Sequence, residues 1–295
     1  MMIKGAFAPI PTPFGEDKNV AYDKLKDNLR RWADTRLTGL VVLGSNGEFV
    51  YLTEEEKVRM IEFVRANFPA DRPVIAGTGS ESTRSTIKLT RKAAETGCEA
   101  ALVLTPSYYK GGMNDVVLEG FFRDVAEASP IPIMLYNMPR NTGINMGADL
   151  VCRLAEHKNI VGIKDSGGNI VQISQIVKGT PDDFSVFAGS GSFLLTSLVM
   201  GAVGATMAVA NILPDMCAEI IDKFHAGNMD RAVELQQSIL DANAAVTSRF
   251  GVPGLKAALD MIGYYGGPPR RPLQPLAEEK VSELKRVLAE VGLLN

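Results

Sequence analysis

Apolar and polar positions along this chain follow two periods. Short apolar runs rich in β-branched residues alternate with longer amphipathic stretches as far as about residue 225. This pattern predicts repeated strand–helix units with a parallel sheet, and eight runs indicate a closed (β/α)8 TIM barrel. The predicted strands are Gly5–Ala8, Gly39–Leu43, Val74–Gly77, Ala100–Leu104, Ile131–Tyr136, Ile160–Lys164, Phe184–Ala188 and Gly204–Val209.

The stretches between these runs have the spacing of helices that cover a barrel. Tyr22–Arg36 places Leu25 and Trp32 on one helical face. Thr53, with Glu56 three residues later, has the pattern of a capping box at the start of the next helix. Similar helices are predicted after every later run.

The chain continues beyond the length that eight strand–helix units need. We expect residues 1–225 to form the barrel and residues 226–295 to form a C-terminal helical extension packed on it, in one domain. The extension is predicted to contain helices at Asp230–Ser248, Pro253–Ile262 and Leu276–Leu294.

Composition narrows the class of protein. The 295 residues are 46% hydrophobic and 22% charged, with a net charge of −3, which is typical of a soluble globular protein. The slightly acidic balance offers no basic surface for nucleic acid or an anionic membrane. No apolar stretch approaches the roughly 18 to 20 residues of a membrane span, and the first residues lack a signal-peptide pattern. We therefore expect a cytoplasmic protein or a mature organellar matrix form.

The cysteines and histidines argue against a metal site. Cys98, Cys152 and Cys217 are odd in number, far apart and not in a C-x-x-C pair, so we expect structural burial. His157 and His225 are too few for a histidine-rich metal site. No metal is predicted, and a zinc-dependent aldolase is disfavoured.

Lys164 is the most unusual lysine, because it ends an apolar run that has the pattern of a buried parallel strand. Strict alternation puts Ile160, Gly162 and Lys164 on one face of this strand. Val161 and Ile163 then share the other face. The amine of Lys164 is therefore predicted to lie on the strand face that carries the smaller side chains.

A lysine in this position has two interpretations. A free lysine has a pKa near 10.4, so only about 0.1% is the neutral nucleophile near pH 7.4. Burial disfavours the ammonium and lowers the pKa, and an amine tuned in this way attacks carbonyls to form a Schiff base. Alternatively, Lys164 extends from the strand end to solvent. The segment by itself leaves both interpretations open.

Further polar residues gather at the predicted strand ends, where TIM barrels carry their catalytic groups. Six of the eight strand ends carry polar, glycine-rich or tyrosine-containing segments, which is more than coincidence readily explains. They carry Gly44–Glu48, Gly77–Gly79, Thr105–Tyr109, Tyr136–Gly143, Lys164 and Gly189–Gly191.

The loop Gly44–Gly47 offers successive backbone N–H groups that suit a substrate carboxylate, and Ser45 adds a hydroxyl. An ordinary turn stabilised by its own side chains is the alternative. The glycines at Gly77–Gly79 and Gly189–Gly191 complete neither a dinucleotide-binding nor a Walker pattern, so phosphate binding is disfavoured.

Tyr136 is predicted to point towards Lys164, because alternation leaves Ile133 and Leu135 facing outward. A phenol there can transfer protons to a carbinolamine or an alkoxide. A packing role at the top of the barrel is the alternative. Tyr108 could join this chain of hydroxyls through Ser45, or could pack in an interface.

At these residues the chain resembles the dihydrodipicolinate synthase / N-acetylneuraminate lyase family, essentially from end to end. Members of that family build a (β/α)8 barrel with C-terminal helices and use a lysine Schiff base with pyruvate. The resemblance is carried by Gly44–Glu48, Ala76–Gly79, Thr105–Pro106 with Tyr108, Leu135–Tyr136, Asn141–Gly143 and Gly162–Asp165.

Within the family the chain most resembles the 4-hydroxy-2-oxoglutarate aldolases. The signatures are Gly44–Phe49, Lys164–Gly168, Asn243–Thr247, Arg249–Gly251 and Gly263–Pro268. Synthases that use aspartate semialdehyde carry an arginine where this chain has Asn141, and two threonines at Ser45–Asn46. Arg140 lies one position early, and in an extended segment that offset should turn it away from the site.

The resemblance implies a role for each residue. Lys164 would form the Schiff base, Tyr136 would move protons, Ser45 and Asn46 would hold the carboxylate, and Ser166 would orient the substrate hydroxyl. Tyr108 would act from a neighbouring subunit. The rest of the predicted substrate-binding set is Asn141, Gly189 and Thr206.

The predicted activity is cleavage of 4-hydroxy-2-oxoglutarate to pyruvate and glyoxylate by a homotetramer that needs no metal or organic cofactor. Two enzymatic alternatives remain: condensation of pyruvate with aspartate semialdehyde, and a sugar-acid aldolase or dehydratase reaction. A catalytically inactive sensor of 2-oxo acids should not keep both Lys164 and Tyr136, so their presence argues for an enzyme.

Overall fold

Eight parallel strands form a closed barrel in the computed structural model, which describes residues 2–294. Each strand pairs with the next, and β8 closes the barrel on β1. Met1 and Asn295, the outer bounds of the two predicted segments, lie outside the described residues. The predicted fold class is confirmed. The strands are β1 Gly5–Pro9, β2 Gly39–Val42, β3 Val74–Gly77, β4 Ala100–Leu104, β5 Ile133–Asn137, β6 Ile160–Asp165, β7 Ser185–Ala188 and β8 Gly204–Thr206.

Helices connect the strands and surround the barrel. Those within or just after the eight units are α1 Tyr22–Ala33, α2 Glu54–Asn67, α3 Thr83–Glu95, α4 Asp115–Ala128, α5 Pro139–Thr142, α6 Ala148–Ala155, α7 Ile170–Gly179, α8 Leu194–Val199 and α9 Pro214–His225. Short 3₁₀ helices lie at Ser45–Gly47, Phe49–Tyr51, Lys110–Gly112, Gly191–Phe193 and Ala208–Asn211. No helix within residues 2–294 is long and apolar enough to cross a membrane.

Local sequence signals explain several of these helices. Leu25 and Trp32 of α1 are fully buried, as their spacing predicted. At the start of α2, Thr53 Oγ1 accepts a hydrogen bond from Glu56 N, and the Glu56 carboxylate accepts one from Thr53 N. The predicted capping box is therefore confirmed.

The predicted eighth strand was too long. The chain leaves the sheet after Thr206, and Met207 N donates to Phe7 O at the edge of the ladder. The next residues form the 3₁₀ helix Ala208–Asn211, which Asn211 Nδ2 anchors by donating to Pro9 O. Its apolar residues are buried, and burial alone does not distinguish a strand from a helix.

The predicted alternation in β6 was wrong at its first residues. Ile133 pairs with Ile160, but the next residue of β5, Met134, pairs with Gly162. Val161 is thus an extra residue, a β-bulge, and faces the barrel interior, while Ile160 packs in the outer layer. Alternation resumes after the bulge, and Lys164 lies opposite Tyr136 in the ladder.

An apolar interior supports the site from below. Aromatic, aliphatic and methionine side chains fill the barrel beneath Lys164. This interior cluster is Ile3, Phe7, Val41, Ile75, Ala100, Leu102, Met134, Tyr136 and Phe187. Two larger clusters lie between the strands and the surrounding helices, so the barrel is packed on both faces.

The C-terminal segment is less regular than predicted. The single helix expected at Asp230–Ser248 is divided into α10 Met229–Ser238, α11 Leu240–Ala244 and a π-helical turn at Ala245–Arg249. After these come α12 Gly251–Met261 and α13 Glu278–Glu290, close to their predicted positions. π-helical turns frequently occur at functional sites, and this one borders the pocket described next.

Candidate active site

A pocket of about 360 Å³ opens at the carboxyl ends of the strands. Its wall combines strand ends, the connecting loops and the π-helical turn. Tyr108 is the one predicted site residue that does not line it. The predicted residues that do are Ser45, Asn46, Tyr136, Asn141, Lys164, Ser166, Gly189 and Thr206.

Lys164 lies at the base of this pocket. Its side chain does not extend to solvent, since the residue is 3% exposed. The Nζ atom lies 4.1 Å from the centroid of the Tyr136 ring, which the β5–β6 register places beside it. The primary amine is therefore enclosed, with a phenol as its neighbour.

Tyr136 is equally buried, and its hydroxyl lies 3.2 Å from Ser45 Oγ. Burial by itself raises the pKa of this phenol. The positive charge of Lys164 and the polar side chains of Ser45 and Ser166 together outweigh burial, so the pKa of Tyr136 is below its usual value. A phenol with a lowered pKa is suited to giving and taking protons near neutral pH.

The Ser45 loop lies between two residues in left-handed backbone conformations, Leu43 with φ 59° and Glu48 with φ 54°. Such conformations are uncommon for residues other than glycine and concentrate at functional sites. Asn46 Nδ2 is buried and has no hydrogen-bond partner within residues 2–294, so it can donate to a carboxylate in the pocket.

Asp165, next to the lysine, is completely buried and accepts three hydrogen bonds. Asn137 Nδ2 and Gln172 Nε2 donate to its Oδ2 at 2.8 and 3.1 Å, and Gly167 N donates to Oδ1 at 2.9 Å. This network ties the end of β5 to the loop after β6. It fixes the backbone on both sides of Ser166.

Arg140 lines the pocket together with Asn141, contrary to the prediction. The segment is not extended. Pro139 begins the short helix α5, in which consecutive side chains diverge by about 100° rather than pointing to opposite faces. Among the described residues, no carboxylate lies within ion-pair distance of the Arg140 guanidinium. Its charge is thus available to a ligand.

Several lining residues were missed from the sequence. Ser190 and Ser192 follow β7, and Thr247 and Ser248 belong to the π-helical turn. Asn243 Nδ2 donates to both serine hydroxyls, at 3.2 and 2.7 Å, and Ser190 Oγ donates to Ser192 Oγ at 3.5 Å, so the Ser192 proton remains available to a ligand. The run Gly189–Gly191 was considered only for its glycines, and the signal lay in Ser190 and the nearby Ser192.

Tyr108 lies outside the pocket and is 78% exposed. Its ring packs edge-to-face on Tyr109, with centroids 5.0 Å apart. Glu81 holds the loop, because its carboxylate accepts hydrogen bonds from Ser107 N and Tyr108 N at 2.8 Å. The phenol of Tyr108 is therefore presented outward.

The cysteines contribute no chemistry to the pocket. Burial raises the pKa of Cys98 to about 11 and that of Cys217 to about 12. Cys152 is half-buried, and desolvation raises its pKa as well. Within residues 2–294, no three His, Cys, Asp or Glu side chains are grouped so as to hold a metal ion.

Comparisons with known proteins agree on one family, but the similar proteins are named for different activities. The model of the dihydrodipicolinate synthetase family matches residues 2–291. The 4-hydroxy-tetrahydrodipicolinate synthase of Methanothrix thermoacetophila is 38% identical, over 100% of this chain and 99% of that protein. The L-threo-3-deoxy-hexylosonate aldolase of Hypocrea jecorina is 37% identical, over 97% and 95%.

A third relative and a crystal structure agree. The probable mitochondrial 4-hydroxy-2-oxoglutarate aldolase of Emericella nidulans is 34% identical, over 98% of this chain and 95% of that protein. The crystal structure of dihydrodipicolinate synthase from Bacillus anthracis superposes with a TM-score of 0.94 at 33% identity, over 98% of this chain and 99% of that one. Three differently named activities thus occur at similar identity.

Proposed function

The chain belongs to the dihydrodipicolinate synthetase family, and we propose that it cleaves 4-hydroxy-2-oxoglutarate to pyruvate and glyoxylate through a Schiff base on Lys164. As an enzyme of this family it is a carbon–carbon lyase of the pyruvate-dependent aldolase type. The observation that carries the proposal is the enclosed Lys164 amine beside Tyr136, whose hydroxyl contacts Ser45.

The first half of the reaction forms the imine. Neutral Lys164 Nζ attacks the 2-oxo carbon, and the carbinolamine loses water to give an iminium. Tyr136 supplies the proton that lets hydroxide leave as water, and Ser45 passes protons between Tyr136 and the substrate. Asn46 Nδ2, buried without a partner among the described residues, donates to the adjacent carboxylate.

The second half breaks the C3–C4 bond. The Tyr136 phenolate removes the proton of the 4-hydroxyl group, and the electrons of the C3–C4 bond move into the iminium. Glyoxylate leaves, and the pyruvate enamine on Lys164 takes a proton at C3 from Tyr136. Water then hydrolyses the imine, which releases pyruvate and restores the amine. Ser166, on the pocket wall, orients the 4-hydroxyl group.

The second carboxylate of the substrate has a partner in Arg140. Its guanidinium places a positive charge in the pocket lining, to which no Asp or Glu of the described residues contributes. Because Lys164 and Arg140 line one pocket, we infer that a dicarboxylate with its 2-oxo group at Lys164 would reach this guanidinium with its far carboxylate, a group that arginine binds well. Arg140 would hold the carboxylate of aspartate semialdehyde equally well, so the neutral Asn141 does not separate the two activities by itself.

Two other activities each have one supporting observation. The relative from Methanothrix is named for the synthase activity and is slightly more similar than the aldolase from Emericella. The hydroxyls of Ser190, Ser192 and Ser248 on the pocket wall suit a sugar acid, the type of substrate in the name of the Hypocrea relative. The long subfamily signatures in the sequence favour 4-hydroxy-2-oxoglutarate over both alternatives. The available Arg140 favours a substrate with a second carboxylate over a sugar acid, and it does not separate 4-hydroxy-2-oxoglutarate from aspartate semialdehyde.

One protein preparation tests both the Schiff base on Lys164 and the identity of the substrate. Pyruvate with borohydride should fix one adduct per chain on Lys164, and Lys164→Ala should lose adduct and turnover together. An adduct mapped to another lysine would sink the Schiff-base assignment. We then expect kcat/KM for 4-hydroxy-2-oxoglutarate to exceed that for aspartate semialdehyde, or for 3-deoxy sugar acids, by at least about tenfold. The opposite order would transfer the assignment to that substrate.

We also propose a homotetramer in which Tyr108 completes the pocket of a partner subunit. The phenol is exposed, and the ring of Tyr109 that packs on it is 75% exposed as well. A pair of exposed aromatic rings on one loop suits an interface with another subunit, because aromatic residues are enriched in such interfaces. A loop anchored by Glu81 presents Tyr108 with little loss of backbone freedom on assembly.

A further inference from the structure

A buried ion pair lies outside the reaction just described. Lys256 on α12 donates to Glu48 Oε1 at 2.7 Å, across 208 positions of sequence. Their side chains are 1% and 0% exposed. Glu48 ends the Ser45 loop, so the pair joins the C-terminal helices to a wall of the pocket.

Both charges are fully satisfied. Lys256 Nζ also donates to Thr12 O at 2.8 Å and lies 4.5 Å from the centroid of the Phe14 ring. The second oxygen of Glu48 accepts a hydrogen bond from Arg270 N at 2.8 Å. A buried pair is weak evidence for stability, because desolvation offsets its attraction, but its directional bonds fix geometry. The geometry fixed here is that of the Ser45 loop.

The same ammonium holds the loop at a second point. Thr12, whose carbonyl accepts from Lys256, donates from Oγ1 to Gly47 O at 2.7 Å. The two residues that end the loop are thus both tied to Lys256, one by its side chain and one through Thr12. Ser45 opens the 3₁₀ turn that closes at Gly47.

The loop needs such restraint. Leu43 and Glu48 have left-handed backbone conformations on either side of Ser45. Strained conformations of this kind persist only where contacts with the surrounding structure hold them in place. A loop free to relax would carry Ser45 Oγ away from the Tyr136 hydroxyl.

We propose that Lys256 and Glu48 are positioning residues, through which the C-terminal helices hold Ser45 in contact with Tyr136. Neither residue lines the pocket in the described chain. The proposal gives the C-terminal extension a part in catalysis as well as in packing. This positioning role depends on the proposed function in one respect, namely that Ser45 and Tyr136 transfer protons.

The decisive variant is E48Q/K256M, which removes both charges and leaves none unpaired. We expect kcat to fall at least about tenfold, as for an impaired proton transfer, with KM within about threefold. The borohydride adduct on Lys164 should still form, but more slowly. The matched control is E99Q/R65M, a partly buried pair beside the amino-terminal ends of β3 and β4. It should lower the melting temperature and leave kcat unchanged.

A spectroscopic measurement separates this proposal from the proposed function. The phenol of Tyr136 is titrated by ultraviolet difference against Tyr136→Phe, in the wild type and in the E48Q/K256M background. Loss of the Ser45 contact should raise the pKa of Tyr136 in the variant. The shift in the pKa of Tyr136 is expected even if the wild type fails to trap pyruvate. Such a failure would contradict the proposed function and leave the positioning role intact.

A folded E48Q/K256M protein with wild-type kcat and an unmoved phenol titration would overturn the proposal. If that variant does not fold, Thr12→Val decides, because it removes only the bond to Gly47 O. We expect this variant to lower kcat severalfold at an unchanged KM. Unchanged kcat in Thr12→Val would then count against the proposal.

Discussion

Ser45 Oγ and the Tyr136 hydroxyl lie 3.2 Å apart, although 91 positions separate the two residues in the chain. The barrel makes this contact, because it brings the loop after β2 across the pocket to the end of β5. Tyr136 also lies opposite Lys164 in the β5–β6 ladder. The phenol and the buried amine are thereby held on strand ends, which are more rigid supports than loops, and the serine reaches them from the loop after β2.

Replacement of Tyr136 by phenylalanine tests the proton-transfer role of the phenol. The ring still packs in the barrel interior, so we expect the fold and the Lys164 adduct with pyruvate to be retained. Turnover should slow by about 10²-fold or more, the usual effect of losing an acid–base group. Steady-state kinetics with a melting curve measures both effects. Wild-type turnover would assign Tyr136 a packing role.

Much of the barrel could be predicted because its signals are local. Each strand is a short apolar run between turn residues, and seven of the eight predicted strands lie within two residues of those observed at either end. Lys164 and Tyr136 could be placed on the inner face from alternation near the strand ends. The β-bulge at Val161 could not, because it depends on how β6 pairs with β5.

Other parts of the site depend on long-range contacts or on an unnoticed local signal. Lys256 pairs with a residue 208 positions away, and only its apolar neighbours Leu255 and Ala258 hinted at burial. Arg140 was misplaced because Pro139 was not recognised as the first residue of a helix, a position that proline favours.

Replacement of Asp165 by asparagine should destabilise the loop after β6. All three partners of this carboxylate are donors, so an amide would turn its own N–H groups towards at least one of them. A buried donor left unsatisfied costs about 1–3 kcal/mol. Urea denaturation measures the loss, and we expect an unchanged m value. A variant as stable as the wild type would show that the network tolerates an amide.

The thiols of Cys98 and Cys217 should resist Ellman's reagent at pH 8 in the native protein. The thiolate is the reactive form, and pKa values of about 11 and about 12 leave roughly 0.1% or less of each ionised. Half-buried Cys152 should react slowly, and all three should react in urea. Because unfolded thiols ionise near pH 9.0, the free energy of unfolding should also fall above that pH. Rapid native labelling of Cys217 would contradict its burial.

Replacement of Tyr108 by aspartate should weaken both assembly and activity. A carboxylate would be desolvated in the proposed interface, and the partner's pocket would lose its phenol. Sedimentation velocity should show smaller species, with kcat falling in parallel as protein is diluted. A wild-type protein that sediments as a fully active monomer would refute this role for Tyr108.

Arg140 provides the sharpest test of the substrate, because it lines the pocket without an ion-pair partner among the described residues. Hydrogen bonds to charged groups contribute about 1.5 to 3 kcal/mol, so Arg140→Met should weaken capture of 4-hydroxy-2-oxoglutarate by roughly 10- to 150-fold. Pyruvate has no second carboxylate, and its trapping on Lys164 should not change. Asn141→Ala, at the neighbouring lining position, is the control and should cost far less.

The pattern across substrates then identifies the group that Arg140 binds. If the guanidinium holds a far carboxylate, Arg140→Met should raise KM for 4-hydroxy-2-oxoglutarate while kcat changes little, since the same contact exists before and during bond cleavage. A 3-deoxy sugar acid, which has hydroxyls there instead, should lose much less. Equal losses for both substrates would mean that Arg140 supports the pocket wall rather than a carboxylate, and the dicarboxylate assignment would lose its main structural support.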